Sequence, residues 1–376
     1  MHIALDVRAT DAHFPGIGRA TLGLLRGLHE LNEPFRIELI ANHDRPLLAD
    51  RCVLQGDERF RWHTVGATPF SLSQQWELPA LARRLAPHCW HAPYYIRPFW
   101  GLPPTIVTVY DVIGQRVPSS LPSRRARLLF ALAVRLSVRR TCAVITSSQA
   151  SAHDLQVLHH LPPERLHVVP LAVDARFRPQ PEVEVMKLRA LYALPQRYLL
   201  YLGSNKPHKQ AVVAVQAFTT LIQQDPTLRN LHLVVAGRWD ERYPEARQAA
   251  APYLDRILFR PDIADPNLPA LLAGATAFLF PSLYEGFGLP PLEAMACGTP
   301  VVVSNRSSLP EVIGDAGLLV EPTGPAFAAA LAQLLHDSSL QAALSERGMQ
   351  RAAAFTWERV ARSTLAIYRH CVENMC

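Results

Sequence analysis

Ala277-Phe-Leu-Phe280-Pro-Ser-Leu-Tyr-Glu285-Gly-Phe-Gly-Leu-Pro-Pro-Leu-Glu293-Ala-Met-Ala-Cys-Gly298 reads in order as a buried strand, a glycine-containing loop and a short helix. An unbroken apolar run such as Ala277 to Phe280 fits a strand covered on both faces, as in parallel sheets. Pro290 and Pro291 suit the first turn of a helix, where a missing N–H costs nothing, and Gly298 suits its C-terminal cap. Glu285 therefore falls on the loop and Glu293 in the first turns of the helix. Free N–H groups at such a helix start favour an anion, and a diphosphate fits them. Two carboxylates eight residues apart around this turn can hold hydroxylated groups on either side of a phosphate. Taken alone, Glu293 is as well explained as a charge complementing its own helix dipole.

The same alternation runs outward in both directions. Ile3 to Val7 reads as a first buried strand, followed by the loop Pro15-Gly16-Ile17-Gly18-Arg19 and a helix with Leu22, Leu25 and Leu28 on one side. Further strands are expected at Arg36 to Ala41, Thr105 to Val109, Ala143 to Ser147 and His167 to Val169. Val173-Asp-Ala-Arg-Phe-Arg-Pro-Gln-Pro181 is proline-rich and polar, the texture of an inter-domain linker. Strands then resume at Tyr198 to Leu202, Leu231 to Ala236, Ile257 to Phe259 and Pro300 to Val303. The pattern predicts an α/β protein of two Rossmann-like, doubly wound units facing a cleft, with ligands outside the carboxyl ends of the strands. The boundaries read 1–172, a linker over 173–195, 196–355, and a helix over 356–376 that crosses back to the first unit. A chain of 376 residues exceeds what one core usually organises.

Composition narrows the function. Hydrophobic residues make up 49% and charged residues 19%, an ordinary globular balance. The net charge of +6 suits phosphorylated or anionic partners, but the cations are scattered without aromatic stacking motifs, which argues against nucleic acid. Six widely spaced cysteines without a C-x-x-C suggest neither a disulfide framework nor a zinc site, and reduced thiols point to the cytoplasm. The N-terminus lacks the pattern of a signal peptide, and the apolar stretches are too short or interrupted to span a bilayer.

A second motif, Gly203-Ser-Asn-Lys-Pro-His-Lys209, lies between a strand and the helix expected over Val212 to Leu221. A cation and a helix start converge there, an arrangement that suits a departing diphosphate. Thr108-Val-Tyr110-Asp111 ends a strand of the first unit, where such folds place functional side chains. Asp111 is a candidate for polarising an acceptor hydroxyl, or else a turn cap.

The Glu-x7-Glu spacing in its Gly-Phe-Gly-Leu and Glu-Ala-Met-Ala-Cys-Gly-Thr-Pro context resembles the retaining glycosyltransferases of family four, which have the GT-B fold. The resemblance extends over nearly the whole chain. It takes in Gly16 to Arg19, Ser147 to Ser151, Pro170 to Pro179, Gly203 to Lys209, Ser308 to Val312 and the Trp357 helix. By that likeness Glu285 contacts hydroxyls of a donor sugar, Glu293 the ribose, and the amides of Phe287, Gly288 and Leu289 the sugar and phosphate. Lys209 neutralises the leaving diphosphate, with Lys206 or His208 assisting, and Ser204 lies in the same phosphate loop. Gly16 and Gly18 let the backbone approach the diphosphate or the acceptor.

The chain also departs from its relatives. Ser204 stands where many have an arginine, Tyr110 where many have a histidine, and Pro261 where many have a glycine near the base. Tyr110 can donate a hydrogen bond but cannot take up the histidine's charge. No Asp-x-Asp occurs and the histidines form no ligand set, so neither metal nor other cofactor is expected; the nucleotide-sugar is a co-substrate.

The resemblance implies a hexosyltransferase, with mannose from GDP-mannose as the donor of choice and a saccharide or lipid-linked saccharide as acceptor. Rhamnosyl, glucosyl or N-acetylglucosaminyl donors on dTDP, GDP or UDP, or a non-catalytic nucleotide-sugar-binding subunit, are the alternatives. The aromatic residues Tyr94, Tyr95, Phe99 and Trp100 either stack on sugars or belong to the core. Ser123 to Arg140 reads as an arginine-rich helix with one buried face, or as a segment lying on an anionic membrane beside a lipid-linked acceptor.

Overall fold

The computed structural model describes residues 1–9, 15–42, 54 and 56–373. Contacts divide them into two compact units. One comprises the described residues of 1–115, 121–172 and from 356 onward, the other 116–120 and 173–355.

The first unit is built on seven parallel strands: β1 (His2–Asp6), β2 (Arg36–Asn42), β3 (Phe60–Val65), β4 (Cys89–Ala92), β5 (Thr105–Thr108), β6 (Ala143–Thr146) and β7 (Leu166–Val168). Their order in the sheet is β3-β2-β1-β4-β5-β6-β7. The helices of eight or more residues are α1 (Pro15–Glu30), α2 (Gln74–Leu85), α3 (Arg124–Val138) and α4 (Gln149–His159).

In the second unit α5 (Glu182–Tyr192) precedes β8 (Tyr198–Leu202), α6 (Ala211–Gln224), β9 (His232–Ala236), β10 (Ile257–Arg260), β11 (Ala277–Phe280), α7 (Leu289–Ala296), β12 (Val301–Ser304), β13 (Leu318–Val320), α8 (Gly324–His336) and α9 (Ser338–Ala353). The strand order there is β10-β9-β8-β11-β12-β13, again all parallel. A final helix, α10 (Trp357–Glu373), returns to the first unit as the sequence predicts.

Apolar periodicity explains the layers. In the first unit Leu25 and Leu28 of α1 join Ile3 and Leu5 of β1 with Ala361, Leu365 and Tyr368 of α10 on one face of the sheet. Leu78 and Leu81 of α2 join Val134 and Val138 of α3 with Ile40, Trp90 and Val107 on the other. Helix α10 lies close against α1 because Gly23 and Gly27 carry no side chain. A Cβ at Gly23 would stand 2.1 Å from the Trp357 ring, and one at Gly27 2.2 Å from the Trp357 carbonyl oxygen. In the second unit Phe218 of α6 and Phe327 of α8 pack over Leu199, Leu233 and Leu279.

Three differences from the sequence expectations have physical reasons. The glycine segment expected as a loop is the first turn of α1, because the fixed φ of Pro15 suits a first helical position. Within 173–195 the proline-rich start hides helix α5, which buries Val185 and Leu188 in the second unit. Strands β3, β4 and β13 escape a pattern search: β3 is an edge strand carrying Arg61 and His63, β4 has four residues and β13 three.

Candidate functional site

In the second sheet β8 and β11 are neighbours, yet the chain leaves β8 toward β9 and β10 on one side and β11 toward β12 and β13 on the other. The loops after β8 and β11 therefore diverge and leave a crevice at their carboxyl ends, the switch point where open α/β sheets bind ligands. These two loops are the two motifs of the sequence.

The loop after β8 closes in a 3-10 turn, Pro207–Lys209, ended by Gln210 in the left-handed region (φ 53°). Buried Tyr201 donates its hydroxyl to the Ser204 carbonyl at 2.7 Å, which fixes where Ser204 lies. Buried Asn205 donates to the carbonyls of Asp240 and Tyr243, both at 2.7 Å, and accepts from the Asp240 N–H at 2.7 Å. It ties this loop to the one after β9.

The loop after β11 is held to the first by His208, whose carbonyl accepts from the Leu283 N–H at 2.8 Å and the Ser282 hydroxyl at 3.1 Å. Lys209 Nζ then lies 2.7 and 2.8 Å from the two carboxylate oxygens of Glu285 and 5.5 Å from the centre of the Phe280 ring. Both side chains of the pair are largely covered, 22% and 12% exposed, so solvent screens their charges weakly.

Two serines after β12 fix the Glu285 backbone. Its carbonyl accepts from Ser307 Oγ at 2.7 Å and Ser308 Oγ at 3.0 Å, and Ser308 also reaches the Phe287 carbonyl at 2.8 Å. Gly288 caps α7 at φ 112°, and a Cβ there would meet Leu309 Cδ2 at 2.7 Å. Pro290 and Pro291 carry no N–H, so the donors offered at this helix start are the amides of Gly288 and Leu289. Glu293 is buried in the same helix, 3% exposed, and its charge is one reason, after burial, that the Cys297 thiol is pushed up to about 12.

His208 differs from expectation. It is 6% exposed, and burial first, then Lys209 and Lys206, drives its pKa down to about 3. It is therefore held neutral in the ligand-free chain, and the part open to it at a phosphate is that of an N–H donor.

The remaining sequence candidates lie in the first unit. Tyr110 follows β5 with its phenol beside Thr21 of α1, and burial holds that phenol protonated. Asp111 accepts from the Ile113 N–H at 2.9 Å and so caps the turn Ile113–Arg116. Its charge also reaches the Tyr94 and Tyr95 phenols, which burial first of all holds protonated. Gly18 is buried in the first turn of α1 and Gly16 is exposed. Among the aromatic residues after β4, Tyr94 is core and packs against Tyr95 with ring centres 4.2 Å apart and planes tilted by 50°, whereas Trp100 is exposed.

Sequence reasoning overlooked Asn205 and the Ser307–Ser308 pair. It also overlooked a buried ion pair at the first sheet's own switch point, between β1 and β4, where Arg8 donates to both carboxylate oxygens of Asp6 at 2.8 and 2.7 Å. The available signal was positional: each lies at the carboxyl end of a strand or within four residues after it.

Two parallel sheets, with a lysine–carboxylate pair at the switch point of the second, describe the sugar-transferring enzymes of the GT-B class. The chain belongs to the group 1 glycosyltransferases of family four, matching the model "Glycosyl transferases group 1" over residues 190–351 and "Glycosyltransferase Family 4" over 15–177. It is similar to the O-antigen chain mannosyltransferase B of Escherichia coli, 31% identical over 300 residues that span 79% of this chain and 77% of that one. It is also similar to the MMP alpha-(1->4)-mannosyltransferase of Mycolicibacterium hassiacum, 32% identical over 243 residues, 63% of this chain and 56% of that one. Among solved structures, HepE of Anabaena in complex with UDP and glucose superimposes with a TM-score of 0.75 at 19% identity, covering 98% of this chain and 100% of that one. The protein is thus a mannosyltransferase-like hexosyltransferase of glycan synthesis.

Proposed function

We propose that this enzyme transfers mannose from GDP-mannose, with retention of configuration, to a saccharide or lipid-linked saccharide acceptor on the cytoplasmic side of the membrane. The observation that carries the reading is the Lys209–Glu285 pair beside the start of α7. A diphosphate leaves with growing negative charge, so a fixed ammonium stabilises the transition state more than the ground state. Lys209 supplies that charge, and the amides of Phe287, Gly288 and Leu289 share it. Glu285 accepts from hydroxyls of the sugar, and Glu293 holds the ribose. As the glycosidic C–O bond breaks, the acceptor oxygen attacks from the face the diphosphate leaves, and a phosphate oxygen takes the acceptor's proton. Asp111 and Tyr110 orient the acceptor on the first unit. With Lys209 in this role, transfer needs no metal.

Mannose is our choice because the relative matched over 79% of this chain, at 31% identity, is a mannosyltransferase; relatives named D-inositol 3-phosphate glycosyltransferase share 32% identity, so the donor panel decides. The test is a panel of GDP-mannose, UDP-glucose, UDP-N-acetylglucosamine and dTDP-rhamnose, scored by thermal stabilisation and slow donor hydrolysis, with and without a chelator. Stabilisation and hydrolysis with another donor alone would replace mannose, and loss of activity on chelation would overturn the metal-free mechanism. The anomeric configuration of the released sugar, read by NMR before mutarotation, decides retention.

A further inference from the structure

We propose, on the reading of Lys209, Glu285 and Glu293 as the donor site, that Arg238 on the loop after β9 binds the donor's diphosphate at the phosphate that bears the nucleoside. Those three side chains bring one ammonium and two carboxylates, and the ammonium already contacts both oxygens of Glu285 at 2.7 and 2.8 Å. A diphosphate between sugar and nucleoside is a dianion at neutral pH. The amides at the start of α7 offer it only partial charge. A crevice richer in carboxylates than in cations needs a further positive group to attract such a ligand.

Sheet register brings Arg238 to that crevice. Strands β8 and β9 are parallel neighbours with Leu202 opposite Ala236, and the Gly203 N–H donates to the Ala236 carbonyl at 3.0 Å. One residue on, the two chains touch: Gly237 has φ 112°, and a Cβ there would stand 2.6 Å from the Gly203 carbonyl oxygen. Ser204 and Arg238 therefore leave the sheet side by side, at the head of the loop that ends in Lys209. Asn205 ties the two loops together through its three hydrogen bonds to Asp240 and Tyr243, each 2.7 Å. Strand β9 lies two strands from β11, about 10 Å at the usual spacing, a gap that a long side chain and a diphosphate bridge together. Glu285, on the loop after β11, takes the sugar end, so the phosphate on the β9 side is the one bearing the nucleoside.

Partner choice along this stretch leaves Arg238 available. It is exposed, and among the described residues it pairs with no carboxylate. The two acids that follow it belong to other arginines: Asp240 to Arg242 at 2.5 Å, and Glu241 to Arg247 at 2.9 Å. Those arginines also lie over rings, Arg242 at 5.6 Å from the centre of Tyr243 and Arg247 at 4.5 Å from that of Trp239. The planar fork of a guanidinium matches two oxygens of one phosphate. Charge grows during transfer on the phosphate that releases the sugar, next to Lys209, whereas the nucleoside's phosphate keeps the same charge throughout. Arg238 therefore holds ground state and transition state alike, and its contribution falls on KM instead of kcat.

The test is calorimetric titration of the whole enzyme with GDP, GMP and guanosine and with UDP, UMP and uridine, alongside donor kinetics. Arg238→Gln should weaken the diphosphate and the monophosphate of the preferred base at least about tenfold and leave the nucleoside unchanged. KM for the donor should rise as far while kcat stays within about twofold, the reverse of what removing Lys209 does. The affinity that remains should depend less on salt than that of the wild type. Arg238→Lys should recover part of the loss, and Ser204→Arg added to Arg238→Gln should recover most of it, because the two positions are side by side. The melting temperature should not move, since the side chain is exposed. A preference for the uridine series would replace the guanosine donor and leave Arg238 in place, whereas binding of neither series would remove the donor site and Arg238 with it. Unchanged phosphate affinity in Arg238→Gln, an equal loss for the nucleoside, a lower kcat at constant KM, or a double variant no better than Arg238→Gln would each overturn the role of Arg238 alone.

Discussion

Lys209 and Glu285 are 76 residues apart in the chain, yet the ammonium of one sits 2.7 and 2.8 Å from both carboxylate oxygens of the other. They meet because β8 and β11 are adjacent and their following loops share the His208 carbonyl as an anchor. Each holds the other in place, so replacing either disturbs both. Lys209→Met should lower kcat by about 10²–10³-fold, the usual cost of removing one preorganised charge-stabilising group. Glu285→Gln should fall as far and abolish donor hydrolysis. In a double-mutant cycle the two losses should be strongly non-additive. Additive losses, or normal hydrolysis by Glu285→Gln, would remove the pair from the mechanism.

Ser308 is fully buried and reaches two carbonyls of the Glu285 loop. Ser308→Ala leaves both with one partner fewer, which should cost about 1–3 kcal/mol of stability. The loop it releases carries Glu285, so KM for the donor should rise as well. Calorimetry and donor titration measure the two effects separately, and a lower melting temperature with an unchanged KM would limit Ser308 to a structural part.

Gly288 combines φ 112° with a Cβ position already claimed by Leu309. Gly288→Ala should therefore cost about 1–3 kcal/mol in backbone strain and displace the amides at the start of α7. Donor affinity should fall further than stability does. Equal affinity in the folded variant would show that those amides do not touch the donor.

Gly27 serves packing alone, with helical backbone and no room for a side chain against Trp357. Gly27→Ala must push α10 away from α1, an overpacking change worth about 1–3 kcal/mol or more. The loss should appear as earlier melting of the first unit, read by hydrogen exchange in α1 and α10. Unaltered exchange there would contradict the contact.

Two buried histidines set an acid sensitivity. Burial lowers His91 to about 3, and burial with the nearby lysines lowers His208 to about 3, both from an ordinary 6.5. A folded pKa below the unfolded one means that the stabilisation is complete above about 6.5 and is lost progressively as pH falls toward 3. At pH 5 the loss should be about 2 kcal/mol for each residue. His91→Gln forfeits the hydrogen bonds to Tyr368 and Thr108, so it should be less stable at pH 7. Its stability should nonetheless fall less steeply between pH 7 and pH 5. An unchanged slope in urea titrations at the two values would show that His91 is not protonated on unfolding.

Much of this protein was determined locally. Unbroken apolar strands, the proline–glycine punctuation around α7 and the glycine motif after β8 depend on neighbours in sequence, so the two doubly wound sheets were legible without coordinates. The Glu285–Glu293 spacing likewise named the family. Pairings between distant segments were decided only by the tertiary structure. Strand order put Lys209 against Glu285, brought Ser307 and Ser308 under the Glu285 carbonyl, and buried His208, which lowers its pKa. Burial likewise turned Tyr94 into core while leaving Trp76, Trp100 and the α3 leucines outside. Sequence periodicity marks a residue as apolar or charged, but desolvation and partner choice are properties of the packed chain, and they fix which residues act as charges and which only fill space.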